Sequence, residues 1–224
     1  MNKTILIASG NQNKIKEFKN ILPDYNFLSL KDLNDFEDIE ENGDTFEANS
    51  LLKAKHYFNK HKIPTLADDS GLEIEVLGNA PGILSKRYSG KGDHENNLLV
   101  LRNLTNKKNR KARFRCALTY VNADGKTITF EGIIEGKIAE EIKGDEGFGY
   151  DPIFLIESEN KTLAELGADY KNRHSHRAKV LIKFKEYMEK NESINNKWYS
   201  RRFGQINTIK RNWILWFAFR CWGF

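Results

Sequence analysis

An α/β fold is predicted for this 224-residue chain by two observations. Short apolar runs of strand length recur at residues 3–8, 63–67, 72–77, 112–121, 127–134 and 153–156. Segments with apolar residues at helical spacing lie among them, so strands and helices interleave. The hydrophobic share of 39% is enough to build a core, which excludes a disordered chain. This length makes one large domain or two small ones.

The first strand is KTILIA, residues 3–8, and the first helix carries Ile15, Phe18, Ile21 and Leu22 before Pro23 stops it. Between them lies Ser9-Gly10-Asn11-Gln12-Asn13-Lys14. A strand, a small polar turn and a helix N-terminus make an anion site, because free amides point outward and the helix dipole favours negative charge. Lys14 would add a point charge to a phosphate. The plainer alternative is a turn with an Asn cap and a solvated lysine. No Walker loop is present.

Residues 32–44 are acidic and read as a solvated loop, of which one or two carboxylates could reach a cation. Thr45 caps the next helix, which runs to about His61 with Phe46, Leu51, Ala54 and Phe58 inward. Asn49 and Lys53, four apart, share one face, toward a cleft or toward water.

Residues 66–90, LADDSGLEIEVLGNAPGILSKRYSG, organise the chain. A short strand leads to Asp68 and Asp69, then to a tight Ser70-Gly71 turn and a second strand, 72–77. Adjacent strand side chains point to opposite faces, so only one of the two aspartates can aim into a given cleft. Such a pair can hold a hard cation or activate a water. It can equally be a β-turn whose Asp and Ser satisfy backbone amides.

Asp93 is expected to cap a helix holding Leu98, Leu99, Leu101 and Leu104. Residues 112–121 and 127–134 form a hairpin through Ala123-Asp124-Gly125-Lys126. Cys116 reads as a buried core residue. Residues 144–152, GDEGFGYDP, place three glycines within six positions, which lets backbone approach a ligand. Phe148 offers a stacking face of the kind nucleobases use, and Asp151, before Pro152, is expected to be extended at the mouth of strand 153–156. The plainer alternative is a surface loop with Phe148 tucked inward. Ser175 caps a final helix with Val180, Leu181, Phe184, Tyr187 and Met188 inward. Lys171, His176 and Arg177 then form a donor cluster suited to phosphate or base-carbonyl oxygens, although a lone His176 reads more simply as a satisfied surface histidine.

The net charge of +5 is unevenly placed. Residues 191–224 hold six basic residues and one acidic, so residues 1–190 hold 30 of each sign. All four tryptophans (Trp198, Trp213, Trp216 and Trp222) also lie in that tail. The predicted organisation is therefore a charge-balanced domain, 1–190, and a basic, Trp-rich tail, 191–224, with no nucleic-acid partner expected for the domain. The tail's apolar run is too short to span a bilayer. It could lie on a membrane surface, cover an apolar patch or be a non-native extension, the last being favoured, and its partner is unassigned. Two distant cysteines exclude a disulfide framework or a Cys metal cluster. With a six-residue N-terminal apolar run too short for a signal peptide, a cytoplasmic setting is expected.

The segments SGNQNK, EENGDTFEAN, LADDSGLEIEVLGNAPGILSKRYSG, GFGYDPIF and KTLAELGADYKNRHSHR, in this order and spacing, resemble the motifs of the inosine triphosphate pyrophosphatase, or HAM1-like, family over about residues 3–190. The resemblance implies a mixed, elongated β-sheet with flanking helices, in two lobes around a central cleft, and commonly a homodimer. It implies Mg²⁺-dependent hydrolysis of ITP, dITP and XTP to the monophosphate and pyrophosphate. It also implies roles: Ser9, Gly10, Asn11, Gln12, Asn13 and Lys14 on the triphosphate; Asp69 as general base and metal carboxylate, with Asp68 beside it; Glu40 or Glu41 on Mg²⁺. Ser70 would touch substrate, Phe148, Gly149, Tyr150 and Asp151 would line the nucleoside pocket, and Lys171, His176 and Arg177 would complete contacts to base and phosphates. Glu47 stands one place earlier than the family's helix glutamate, and Asp145 and Glu146 make the glycine loop unusually acidic. Two rival readings are a pyrophosphatase for modified pyrimidine nucleotides and a non-enzymatic nucleic-acid or membrane binder acting through the tail.

Overall fold

The computed structural model describes residues 4–191. In chain order the elements are β1 (Thr4–Ile7), α1 (Gln12–Ile21), β2 (Asn26–Ser29), α2 (Phe46–His61), β3 (Thr65–Ile74), β4 (Ala80–Pro81), α3 (Asp93–Asn103), β5 (Lys111–Val121), β6 (Thr127–Ile138), β7 (Phe154–Ile156), β8 (Lys161–Thr162) and α4 (Leu163–His174). Residues 176–183 are helical and are called α5. The strands form one mixed sheet in the order β2-β1-β3-β5-β6-β7-β8, with β4 on β3. β1 is parallel to β2 and β3, and the remaining pairs are antiparallel. The α/β reading of the sequence holds.

Two expectations about the central stretch do not. Ser70-Gly71 is not a turn: β3 runs unbroken, and β5 pairs with it from Thr65↔Val121 to Ile74↔Ala112. The second strand ends at Ile74, and Glu75–Leu77 is a 3-10 turn. Gly71 serves close approach rather than turning. A Cβ there would lie 2.4 Å from the Gly82 carbonyl oxygen and 2.5 Å from Ser85 Oγ, because the 3-10 segment Gly82–Arg87 packs directly on the strand. Ser85 Oγ in turn accepts a bond from the Leu72 amide at 2.8 Å.

β3 and β5 also join two hydrophobic clusters. One gathers Leu6, Ala54, Tyr57, Ala67 and Val121; the other gathers Leu72, Ile74, Val100, Phe114, Ile153 and Phe154. Burying each such large side chain contributes roughly 1.5–3 kcal/mol. Asp68 to Gly71 fall between the two clusters along β3, so the polar stretch sits where one core gives way to the next.

The helices follow the sequence closely, with two corrections. Thr45 caps α2, its side chain accepting from the Ala48 amide, and the Ser175 hydroxyl accepts from the Ala178 amide at 3.1 Å. α3 is capped by Gly92 and not by Asp93, whose carboxylate is engaged elsewhere, and its buried residues are Asn96, Asn97 and Val100. Asp151 is not extended but opens a 3-10 turn, Asp151–Ile153, in which the Ile153 and Phe154 amides both bond the Tyr150 carbonyl.

The chain divides into two compact units, residues 1–183 and 184–224. The sheet and every site residue considered below belong to the first. In the second, residues 184–191 are helical, and the basic, Trp-rich tail beyond residue 191 lies outside the described residues. No helix among the described residues is long and apolar enough to cross a membrane.

Candidate active site

The turn after β1 is held by its own side chains. Ser9 Oγ accepts from the Asn11 amide at 3.2 Å, and Asn11 Oδ1 caps α1 by accepting from the Asn13 and Lys14 amides at 3.0 and 3.3 Å. The Asn-cap reading is thus realised, while Lys14 is not solvated: its Nζ lies 3.0 Å from Asp68 Oδ2.

The period of β3 sends its two aspartates into different surroundings. Asp68 is fully buried and takes Lys14 and Arg177, the latter through Nε and Nη2 at 3.3 and 3.1 Å. Burial opposes its ionisation, but Lys14, Arg177 and Lys53 outweigh that and hold the carboxyl well below the usual range. Asp69 faces α2, where Asn49 Nδ2 donates to its Oδ2 at 3.0 Å, and the Ser70 amide donates to Oδ1 at 2.9 Å. Its pKa is raised, first by burial and further by Glu41, with Lys53 opposing. One aspartate is a locked anion; its neighbour has an elevated proton affinity.

On α2, Lys53 lines the cleft, whereas Asn49 is buried against Asp69 and reaches neither the cleft wall nor water. Asn49 also accepts from the Gly43 amide at 2.8 Å, and Lys53 Nζ lies 2.9 Å from Glu41 Oε1. The acidic segment is therefore tethered to the helix that touches Asp69. Most carboxylates of that segment are solvent-exposed, as expected; the exception is Asp35, buried between Lys60, 2.8 Å away, and His61, 2.6 Å away.

Across the cleft, Arg177 is almost wholly buried and ion-paired to Glu17 and Asp68, with Nη2 also donating to Ser70 Oγ at 2.9 Å. Glu17 pairs in turn with Lys171 at 2.9 Å, and Lys171 with Asp151 at 2.6 Å. The result is an alternating chain, Asp151–Lys171–Glu17–Arg177–Asp68–Lys14, running from the glycine loop to the β1 turn. Asp151 also accepts from the Phe148 amide at 2.9 Å. The Phe148 ring lies over Lys171 Nζ, 4.5 Å from its centroid, and 5.9 Å from Arg177 Cζ. His176 is buried rather than at the surface. It stacks on Phe114 at 4.9 Å, and burial, then Arg177 and Lys171, depress its pKa well below the usual value, so it is neutral.

One cavity of about 890 Å³ gathers these parts. It is lined by Ser9, Gly10, Asn11, Gln12 and Lys14, by Glu40, Glu41, Asp69 and Ser70, and by Phe148, Gly149, Tyr150, Asp151, Lys171, His176 and Arg177. Asn13 and Asp68 are not on its wall. Glu47, paired with Arg115 at 2.6 Å, stands apart from it, as do Asp145 and Glu146. Glu17 carries no sequence role of its own; the only local hint is a charge between the apolar positions Ile15 and Phe18.

The donor set suits a small hard cation. No group of three or more His, Cys, Asp or Glu gathers as a ready metal cage among the described residues, but Mg²⁺ needs only one or two protein carboxylates beside phosphate oxygens and water. Asp69 and Glu41 share the cavity wall and are close enough for Glu41 to raise the pKa of Asp69.

A mixed sheet whose two cores meet at a carboxylate-bearing cleft, walled by a βα turn and an aromatic glycine loop, defines a nucleotide-hydrolase type of site. The chain belongs to the Ham1 family, whose family model matches residues 5–187. It is 47% identical over 183 residues to a dITP/XTP pyrophosphatase of Acholeplasma laidlawii, covering 81% of this chain and 92% of that one. It is 46% identical over 193 residues to a dITP/XTP pyrophosphatase of Bacillus subtilis, covering 84% and 98%. Among solved structures, the Staphylococcus aureus Ham1 protein matches with TM-score 0.78 at 40% identity over 84% of this chain and 100% of that one. A HAM1 protein from Coxiella burnetii matches with TM-score 0.77 at 38% identity over 84% and 99%.

Proposed function

We propose that this protein hydrolyses dITP, XTP and ITP to the nucleoside monophosphate and pyrophosphate, removing deaminated purines from the nucleotide pool. The observation that carries this reading is the single cavity that places the Ser9–Lys14 turn, Asp69 and Phe148 on one wall system. The names of the relatives supply the substrate class.

In this reading the purine stacks on Phe148, and the triphosphate runs back toward the β1 turn and Lys14. Asp69, with Glu40 or Glu41, would hold Mg²⁺, which supplies phosphate coordination and stabilises phosphoryl charge. Asp69 would orient a water and take its proton as the water attacks the α-phosphorus and pyrophosphate leaves. Asn49 fixes the direction of that carboxylate. Lys171, His176 and Arg177 line the cavity and are hydrogen-bond donors, suited to a C6 carbonyl of hypoxanthine or xanthine, where adenine presents an amine. A site built for one hydrogen-bond pattern rejects the other by several powers of ten. A homodimer and a cytoplasmic setting accompany the reading.

The test is a nucleotide panel with separate pyrophosphate and orthophosphate detection, with and without Mg²⁺. Pyrophosphate from dITP, XTP and ITP but little from dATP is expected, with loss on chelation. Turnover of modified dUTP or dTTP but not dITP, or release of orthophosphate alone, would overturn it. Light scattering of the purified protein tests the dimer.

A further inference from the structure

Gly149 is held from both sides by one helix. Its amide donates to Asp93 Oδ2 at 2.8 Å, and its carbonyl accepts from Asn97 Nδ2 at 2.9 Å. Asp93 and Asn97 stand four apart in α3 and so share a face of that helix. Gly149 has φ +64°, a conformation that side-chain-bearing residues rarely adopt, yet an added Cβ would meet nothing within 4 Å. The glycine therefore serves the backbone direction and not the space. On the other side of Phe148, the peptide amide is fixed by Asp151. Asn97 is buried, and α3 is anchored through Val100 in the second core, so the clamp is rigid where it starts. Two neighbours extend it: the Tyr150 hydroxyl donates to the Ser85 carbonyl at 2.7 Å, and Asn96 of the same helix reaches that carbonyl at 3.3 Å.

We propose that Asp93 and Asn97 are positioning residues for nucleobase recognition, setting the angle at which Phe148 presents its ring by holding the peptide that follows it. The proposal rests on the reading of Phe148 as the base-stacking face. Nothing in the local sequence announces it, since Asp93 reads there as a helix cap and lies 56 residues from Gly149. A hydrogen bond of this kind is roughly 1 kcal/mol, or about fivefold in an equilibrium constant. Loss of the bond would let the loop rotate, loosening the register on which base discrimination depends.

Asp93→Ala, Asp93→Asn and Asn97→Asp are compared with the parent, using dITP and dATP. Asp93→Asn keeps an acceptor oxygen, whereas Asn97→Asp sets an acceptor against the Gly149 carbonyl. Expected for Asp93→Ala and Asn97→Asp is a KM for dITP raised about five- to tenfold with kcat within about twofold, and a smaller dITP-to-dATP ratio of kcat/KM. Asp93→Asn should stay near the parent in both. Amide hydrogen exchange over residues 144–152, read without any nucleotide, should quicken in Asp93→Ala and Asn97→Asp alone. Unchanged exchange and unchanged KM would overturn the proposal, as would an equal loss toward dITP and dATP, which marks a merely structural role. A parent with no turnover of dITP would instead defeat the functional reading, leaving the exchange result to decide the clamp.

Discussion

Asp68 and Asp69 are adjacent in sequence and differ in almost every physical respect, and the difference comes from strand geometry alone. Asp68 meets Lys14 and Arg177; Asp69 meets Asn49 and the cavity. Asp69→Asn keeps the shape and removes the proton acceptor, so kcat should fall about 10²- to 10⁴-fold in a pyrophosphate assay while the thermal midpoint stays close to the parent's. Arg177→Leu acts differently. It strands Glu17 and Asp68 as buried, less compensated anions, and removing one partner of such a pair costs about 3–5 kcal/mol. Urea unfolding should show that loss, and Arg177→Lys should recover only part of it, because an ammonium cannot reproduce the guanidinium fork. The alternation of Asp68 and Asp69 is legible from a strand's period of two. Glu17 is not, because its partner Arg177 lies 160 residues away and no local pattern marks a buried pair at that distance.

At the scale of elements, the cap signals at Thr45 and Ser175 succeeded, the local signals at Asp93 and Asp151 failed, and so did the reading that depends on a partner strand. The Thr45 and Ser175 caps are written within three residues of sequence. The length of β3 is not, because Ser70-Gly71 looks like a turn until β5 supplies a partner for every residue across it. The packing of Gly82–Arg87 on that strand makes a specific demand. Gly71→Ala would place a Cβ against backbone at Gly82, and overpacking of this kind costs typically about 1–3 kcal/mol, to be read by chemical denaturation. In the acidic segment 32–44 one residue departs from the solvated reading: Asp35 is a buried tether between Lys60 and His61. Its hydrogen bond from Lys60 is the largest influence on it, burial opposes, His61 and the Glu37 amide add to the effect, and the pKa falls from 3.8 to about 2. A depressed carboxyl stabilises the fold above its unfolded value and loses that contribution as pH falls through the folded one. Between about pH 4 and pH 2 the parent should therefore lose more stability than Asp35→Asn, measured by acid titration of the unfolding free energy.

For the molecule as a whole, the cleft exists because β3 and β5 each serve two cores and leave a polar stretch between them. Around it, segments from the two ends of the described chain are joined by alternating buried charges, from Asp151 in the glycine loop to Lys14 after β1. The sequence discloses the segments and, through family resemblance, the roles expected of them; it does not disclose that they share one wall, which depends on sheet order and on pairs formed across the whole domain. The convergence is tested most directly by the structure of the parent protein with Mg²⁺ and a dITP analogue whose α–β bridging oxygen is replaced by a group that water cannot displace. The expected result is hypoxanthine stacked on Phe148, with the triphosphate extending to the Ser9–Lys14 turn and the α-phosphate facing residue 69. A nucleotide bound in the reverse direction, or on a surface away from this cavity, would contradict it.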